Sequence, residues 1–255
     1  MRWVKPSGLP DNPDGGVGKA KRDAEAIMPD QRDEALTVLI SPLGLEGMLG
    51  LPRGHPKGLV IFAHGSGSSR FSPRNNYVAA ALREVGLATL LFDLLTESEA
   101  ADRANVFDIG LLAERLVEAT GWARSFELTR TLPIQYFGAS TGAAAALMAA
   151  VTREGDIAAI VSRGGRPDLA GRALLDVRAP TLLIVGGADF EVLGLNRSVL
   201  ARLTCEAKLE IVPGATHLFE EPGTLETVVR LAREWFLGHL ATENRGPRPG
   251  LPRVR

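Results

Sequence analysis

Pro133-Ile-Gln-Tyr-Phe137-Gly138-Ala139-Ser140-Thr141-Gly142-Ala143-Ala-Ala-Ala-Leu-Met-Ala-Ala150 is the stretch whose reading decides the fold. Its first five residues form a short apolar run bounded by a proline and a glycine, the pattern of a buried strand. Its last eight are strong helix formers. Between them stands G-x-S-x-G. A strand-to-helix turn this tight forces the serine into a strained backbone conformation. It also needs glycine on either side, because neighbouring elements pass too close for a Cβ. The turn lifts the Ser140 hydroxyl clear of a sheet and sets it at a helix N-terminus, where partial positive charge favours developing negative charge. The five-residue pattern is weak alone, and a Gly-rich turn with an N-capping serine is its plainer reading. The strand before it and the helix after it make Ser140 a candidate nucleophile.

Outward from this turn the same alternation repeats. Upstream, Ala35–Ile40 and Leu45–Leu51 read as an antiparallel pair joined by Ser-Pro-Leu-Gly, followed by the apolar strand Leu59–Ala63. A helix over Tyr77–Val85 closes at Gly86, and a strand at Leu87–Phe92 leads to a helix over Asn105–Ala123. Downstream come strands at Ile157–Val161, Thr181–Val185 and Lys208–Val212, with helices at Val192–Leu203 and Thr224–Leu240. The expected architecture is α/β: a mostly parallel eight-stranded sheet with helices on both faces. Ligands of such sheets bind beyond the carboxyl ends of the strands, so the loops after strands are where chemistry is sought.

The chain of 255 residues is 45% hydrophobic and 23% charged, ordinary for a globular domain with a sizeable core. Its formal net charge of −1 gives no field favouring nucleic acid or an anionic membrane. No apolar run reaches the roughly 18 residues a membrane span needs, and the N-terminus lacks a secretory pattern. The single cysteine, Cys205, fits a reducing compartment and reads as a small packing residue. The expected location is cytoplasmic. Residues 1–34 read as a partly irregular arm, 35–240 as the catalytic domain and 241–255 as a flexible basic tail with Arg245, Arg248, Arg253 and Arg255.

A serine hydroxyl needs a base, and there are four histidines. His55 lies in a turn before a strand, and His239 lies in the final helix. His64 belongs to a loop discussed below. His217, in Val212-Pro-Gly-Ala-Thr-His217, follows the last strand and is the candidate base. Where this turn carries a triad, the order along the chain is Ser, then Asp or Glu, then His. Asp189, after the penultimate strand and the pair Gly186-Gly187, is the favoured acid, with Glu191 its rival. Asp93 precedes the serine and reads as structural. An oxyanion needs N–H donors: Thr141 supplies one, and the loop His64-Gly65-Ser66-Gly67 the other, with Ser66 the best candidate. A Gly/Ser loop can also cradle phosphate, but neither the dinucleotide nor the P-loop pattern is present. No metal or cofactor is implied.

As a set and in this order, His64-Gly-Ser-Gly67, Gly138-Ala-Ser-Thr-Gly142, Gly186-Gly-Ala-Asp189 and Pro213-Gly-Ala-Thr-His217 resemble the α/β hydrolases, specifically the dienelactone-hydrolase-like branch. The run His64–Asn75 is also similar to hydrolase units that occur alone or fused to phosphoribosyltransferases. The resemblance implies the α/β-hydrolase fold, a Ser140–His217–Asp189 triad and a functional link to a phosphoribosyltransferase. Dienelactone hydrolases proper use cysteine where this chain has Ser140, so the resemblance does not carry their substrate over. About 50 positions separate Ser140 from Asp189, too few for a large cap domain. The expected activity is cleavage of a small ester or lactone. An acyltransferase with the same triad and a non-catalytic binding module are the alternatives. His64, Gly65, Arg70, Arg74, Arg163 and Arg166 flank the site as candidate substrate contacts. For the four arginines, surface ion pairing is the preferred reading.

Overall fold

The computed structural model describes residues 35–240. The expectations for the arm over 1–34 and the tail over 241–255 lie outside the described residues. Eight strands form one sheet: β1 (Ala35–Ile40), β2 (Leu45–Gly50), β3 (Gly58–Ala63), β4 (Leu87–Phe92), β5 (Ile134–Ala139), β6 (Ile157–Arg163), β7 (Thr181–Gly186) and β8 (Ala207–Val212). Their spatial order is β1-β2-β4-β3-β5-β6-β7-β8. The β1–β2 hairpin pairs from Ala35↔Gly50 to Ile40↔Leu45, and β2 runs antiparallel to β4. All later neighbours are parallel.

Helices cover both faces because every residue of β3, β4, β5 and β7 is buried. Along β3 the side chains alternate. Leu59, Ile61 and Ala63 join the core beneath α4 (Ile109–Ser125) and α5 (Thr141–Thr152). Val60 and Phe62 join the core beneath α1 (Pro73–Glu84) and α7 (Thr224–Gly238). The two outer strands are partly exposed, and β8 carries a Lys208–Glu210 ion pair at 2.6 Å, charge of the kind that discourages edge pairing. Among the described residues no helix is long and apolar enough to cross a membrane.

Local capping chemistry moved several helix boundaries. Helix α1 starts at Pro73 rather than Tyr77, because Ser72 Oγ accepts the Asn75 N–H and proline at the first position needs no N–H partner. The single helix expected over Asn105–Ala123 is divided between the end of α3 (Arg103–Val106) and α4, and a further short helix, α2 (Glu97–Ala100), precedes them. Asp102 and Asp108 accept from the N–H groups of Ala104 and Leu111, and each starts a new helix where periodicity alone suggests continuity. Between β6 and β7 a 3₁₀ run, Pro167–Leu175, kinks at Gly171 and takes the place of any cap domain. Helix α6 (Phe190–Leu200) follows β7.

Candidate active site

Ser140 sits at the junction of β5 and α5 with φ 50° and ψ −122°, one of two described non-glycine residues at positive φ. That conformation costs roughly 1–3 kcal/mol and persists only where the surroundings over-determine it. Here they do. The Ser140 carbonyl accepts the N–H groups of Ala143 at 3.1 Å and Arg166 at 3.0 Å. A Cβ on Gly142 would lie 2.1 Å from the Ala63 carbonyl oxygen, and one on Gly138 would lie 2.5 Å from Ala143 Cα. The turn therefore requires glycine at both places for close approach.

His217 and Asp189 arrive at the same carboxyl edge from the loops after β8 and β7. Those loops are stitched together by Gly187 N–H to the Val212 carbonyl at 2.8 Å and Ala188 N–H to the Ala215 carbonyl at 2.9 Å. His217 Nδ1 and Asp189 Oδ2 are 2.7 Å apart, with Asp189 largely shielded and the imidazole 39% exposed. Glu191 is exposed and makes no hydrogen bond to His217 among the described residues. The Arg163 carbonyl lies 3.4 Å from the Ser140 N, and a Cβ on the next residue, Gly164, would lie 3.7 Å from His217 Cε1. Serine and imidazole thus share one corner. No hydrogen bond joins them at rest, as is common before substrate tightens a site.

The loop His64–Gly67 differs from its expectation in two ways. Ser66 N–H donates to Thr141 Oγ1 at 3.0 Å, so at rest it is engaged rather than free. Both ring nitrogens of His64 are held by backbone: its Nδ1–H donates to the Gly65 carbonyl at 3.0 Å, and its Nε2 accepts from Leu94 N–H at 3.2 Å. That pair of bonds requires the neutral Nδ1–H tautomer. Burial pushes the ring's pKa below 6.5, outweighing the opposing Gly65 bond and Asp93 charge, and so keeps it neutral. His64 is a strut that fixes the Gly65–Ser66 peptide. Gly65 itself lies so near Ser140 that a Cβ would stand 2.8 Å from Ser140 Cβ and 3.1 Å from the Ala139 carbonyl oxygen. Gly65→Ala is expected to lower kcat/KM on an ester by about 10²-fold through loop displacement. It should cost about 1–3 kcal/mol of stability, read by steady-state kinetics and denaturant melts.

The four arginines separate. Arg70 pairs with Asp93 and Glu46, and Arg166 pairs with Asp168 at 2.8 Å, so scaffold pairing accounts for both. Asp93 also accepts the Arg70 N–H at 2.7 Å, a structural duty. Arg74 reaches Glu220 at 3.1 Å on the surface. Arg163 is buried, its Nε and Nη1 have no hydrogen-bond partner, and no carboxylate among the described residues pairs with it. It shares with Ser140, Ser66, Arg74 and Leu218 a cavity of about 480 Å³. A second cavity of about 600 Å³ shares Gly65–Ser69 with it and is lined also by His64, Arg70 and Leu94. Two contributors carry no signal in the sequence reading. Asn75 is 2% exposed in the wall of the smaller cavity, and Phe219, at φ 56°, places its ring 5.9 Å from the Arg163 guanidinium. Cys205 is half-buried against Thr181, remote from the site, and burial pushes its thiol pKa up. Among the described residues no cluster of three or more His, Cys, Asp or Glu could hold a metal.

A dienelactone hydrolase of Anabaena variabilis has a solved structure that is 54% identical, with a TM-score of 0.77, covering 81% of this chain and 97% of that one. The chain belongs to the dienelactone-hydrolase-like α/β hydrolases. A lidless α/β serine hydrolase of Xanthomonas campestris is 25% identical, with a TM-score of 0.65 over 80% of this chain and 93% of its own. Proteins from two strains of Mycobacterium tuberculosis, described provisionally as phosphoribosyl transferases, are 57% identical over 224 residues, which is 88% of this chain and 49% of each. This member of the α/β hydrolases thus spans about half the length of the curated relatives it matches. No family model matches the chain.

Proposed function

We propose that this α/β hydrolase is a serine enzyme that cleaves small esters or lactones through an acyl-enzyme on Ser140. The observation that carries the reading is the strained Ser140 at a helix N-terminus, set at the same sheet edge as a His217–Asp189 pair 2.7 Å apart. In the first step His217 Nε2 takes the hydroxyl proton as Ser140 Oγ bonds to the carbonyl carbon. Asp189 holds Nδ1–H and stabilises the imidazolium. The imidazolium proton then passes to the leaving alkoxide, and a water deprotonated by His217 releases the acid.

The Thr141 N–H, one of the helix's unpaired first donors, faces the developing oxyanion. Ser66 N–H joins it by exchanging a neutral acceptor, Thr141 Oγ1, for a charged one. Bonds to charged acceptors are roughly twice as strong, so this exchange favours the transition state over the ground state. The link to a phosphoribosyltransferase belongs to the same proposal and is supported by the names of the two mycobacterial relatives.

Fluorophosphonate labelling of wild type and Ser140→Ala, beside a panel of esters and lactones of varied acyl length, tests the reading. Covalent label on wild type alone, with turnover of at least one panel member, is the expected result. A wild type that takes no label and cleaves nothing overturns it.

A further inference from the structure

Asn196 lies on α6 and is fully shielded from solvent. Its Nδ2 donates to the Val192 carbonyl at 2.8 Å, one turn back on its own helix, and to the Gly165 carbonyl at 3.0 Å, in the segment after β6. Its Oδ1 finds no partner among the described residues. Turning the amide over would set that oxygen against two carbonyls, so the two acceptors fix which end is which. A buried amide with an unpaired oxygen is costly, and a leucine of similar volume would fill the space without that cost. What the amide adds is its two donated bonds, and only the one to Gly165 reaches beyond the helix.

The Gly165 carbonyl and the Arg166 N–H are opposite ends of one planar peptide. The Arg166 N–H donates to the Ser140 carbonyl at 3.0 Å. A carbonyl that accepts a hydrogen bond polarises its peptide and strengthens the N–H at the far side. This peptide has little room to turn, since a Cβ on Gly165 would lie 2.6 Å from Ala143 Cβ in the first turn of α5. Helix α6 in turn begins at Asp189, its N-cap. One side chain therefore ties the helix that starts at Asp189 to the peptide that grips Ser140.

We propose that Asn196 is a positioning residue for Ser140: through the Gly165–Arg166 peptide it holds the serine's carbonyl, and so keeps the nucleophile in the positive-φ conformation from which its Oγ attacks. This rests on the hydrolase reading above and deepens it. A backbone held at φ 50° persists only while its surroundings over-determine it, and the Arg166 bond is one of those restraints. Asn196 lines neither of the two cavities beside the loop Gly65–Ser69, so it acts on the serine and not on the substrate.

The test is Asn196→Leu, which keeps the volume and removes both donors. On an ester that wild type cleaves, kcat per site labelled to completion by a fluorophosphonate is expected to fall by about tenfold or more, with KM within about twofold. A side chain that only supported the fold would lower stability and leave kcat per labelled site alone. Amide hydrogen exchange is the second readout. The Arg166 N–H should exchange about tenfold or more faster than in wild type, while the Gly164 N–H, held by the Ile184 carbonyl at 2.8 Å, keeps its rate. Should Asn196→Leu fail to fold, Asn196→Ser replaces it: a serine hydroxyl can still bond the Val192 carbonyl but is too short to reach Gly165. A folded variant with wild-type kcat per labelled site, or with unchanged exchange at Arg166, overturns the positioning role. So does faster exchange shared equally by Gly164, which marks general loosening. An Arg166 N–H that already exchanges in wild type like an open loop amide overturns it without any variant. A wild type that neither labels nor cleaves sinks the hydrolase reading instead, and the exchange comparison still decides whether Asn196 holds the turn.

Discussion

Ser140→Ala and Ser140→Gly are both expected to lower kcat on an ester by about 10⁶-fold, yet to move stability differently. Neither variant leaves an atom that can form the acyl-enzyme. Alanine keeps a Cβ at φ 50°, so the backbone strain stays and the melting midpoint should match wild type closely. Glycine removes the Cβ that makes this conformation costly. Part of the roughly 1–3 kcal/mol stored at the turn is then released, against the greater freedom glycine gives the unfolded chain, for a net gain of about 1 kcal/mol. Denaturant melts beside ester kinetics read both effects. A Ser140→Gly protein no more stable than Ser140→Ala would show that the turn stores no strain. Retained turnover in either would remove Ser140 from the chemistry. Adding His217→Ala to Ser140→Ala should cost nothing further, because the two side chains act as one unit.

Asp189→Asn should lower kcat by about 10⁴-fold with little change in KM. The amide fits the same space 2.7 Å from His217 Nδ1, but its NH₂ group can donate where only an acceptor serves. The imidazole then turns its proton toward Ser140, where a lone pair is needed, and the imidazolium loses the charge that steadies it. Glu191→Gln is the matched control: exposed and without a bond to His217, it should stay within about twofold of wild type. If Glu191→Gln proved the slower variant, the acid would have to be reassigned.

Much of this arrangement was legible from the chain. Strands β3, β4, β5 and β7 are predominantly apolar runs because both of their faces are covered, and such runs cannot be confused with surface loops. The strand–turn–helix around Ser140 was legible because G-x-S-x-G sat between a strand and an alanine-rich helix. Helix boundaries read less well. Asp108 cuts the expected helix in two because a side-chain acceptor can end one helix and start the next within a single turn, below the resolution of hydrophobic periodicity. His64 looked like a site residue by position, and only its two backbone partners reveal a strut.

By itself the sequence determined the eight strands, their mostly parallel pairing and which serine, histidine and carboxylate stand at strand ends. Those properties follow from local propensity and burial pattern, which neighbours along the chain express. Only the tertiary structure decided which arginines are neutralised, because a counter-charge arrives from elsewhere in the fold: Glu46 and Asp93 meet Arg70 across the sheet, while no described carboxylate meets Arg163. It also decided that Ser66 N–H rests on Thr141 Oγ1, a contact between residues 75 positions apart. Pairing across such distances depends on where strands bring their ends, a property of the folded chain that no window of sequence contains.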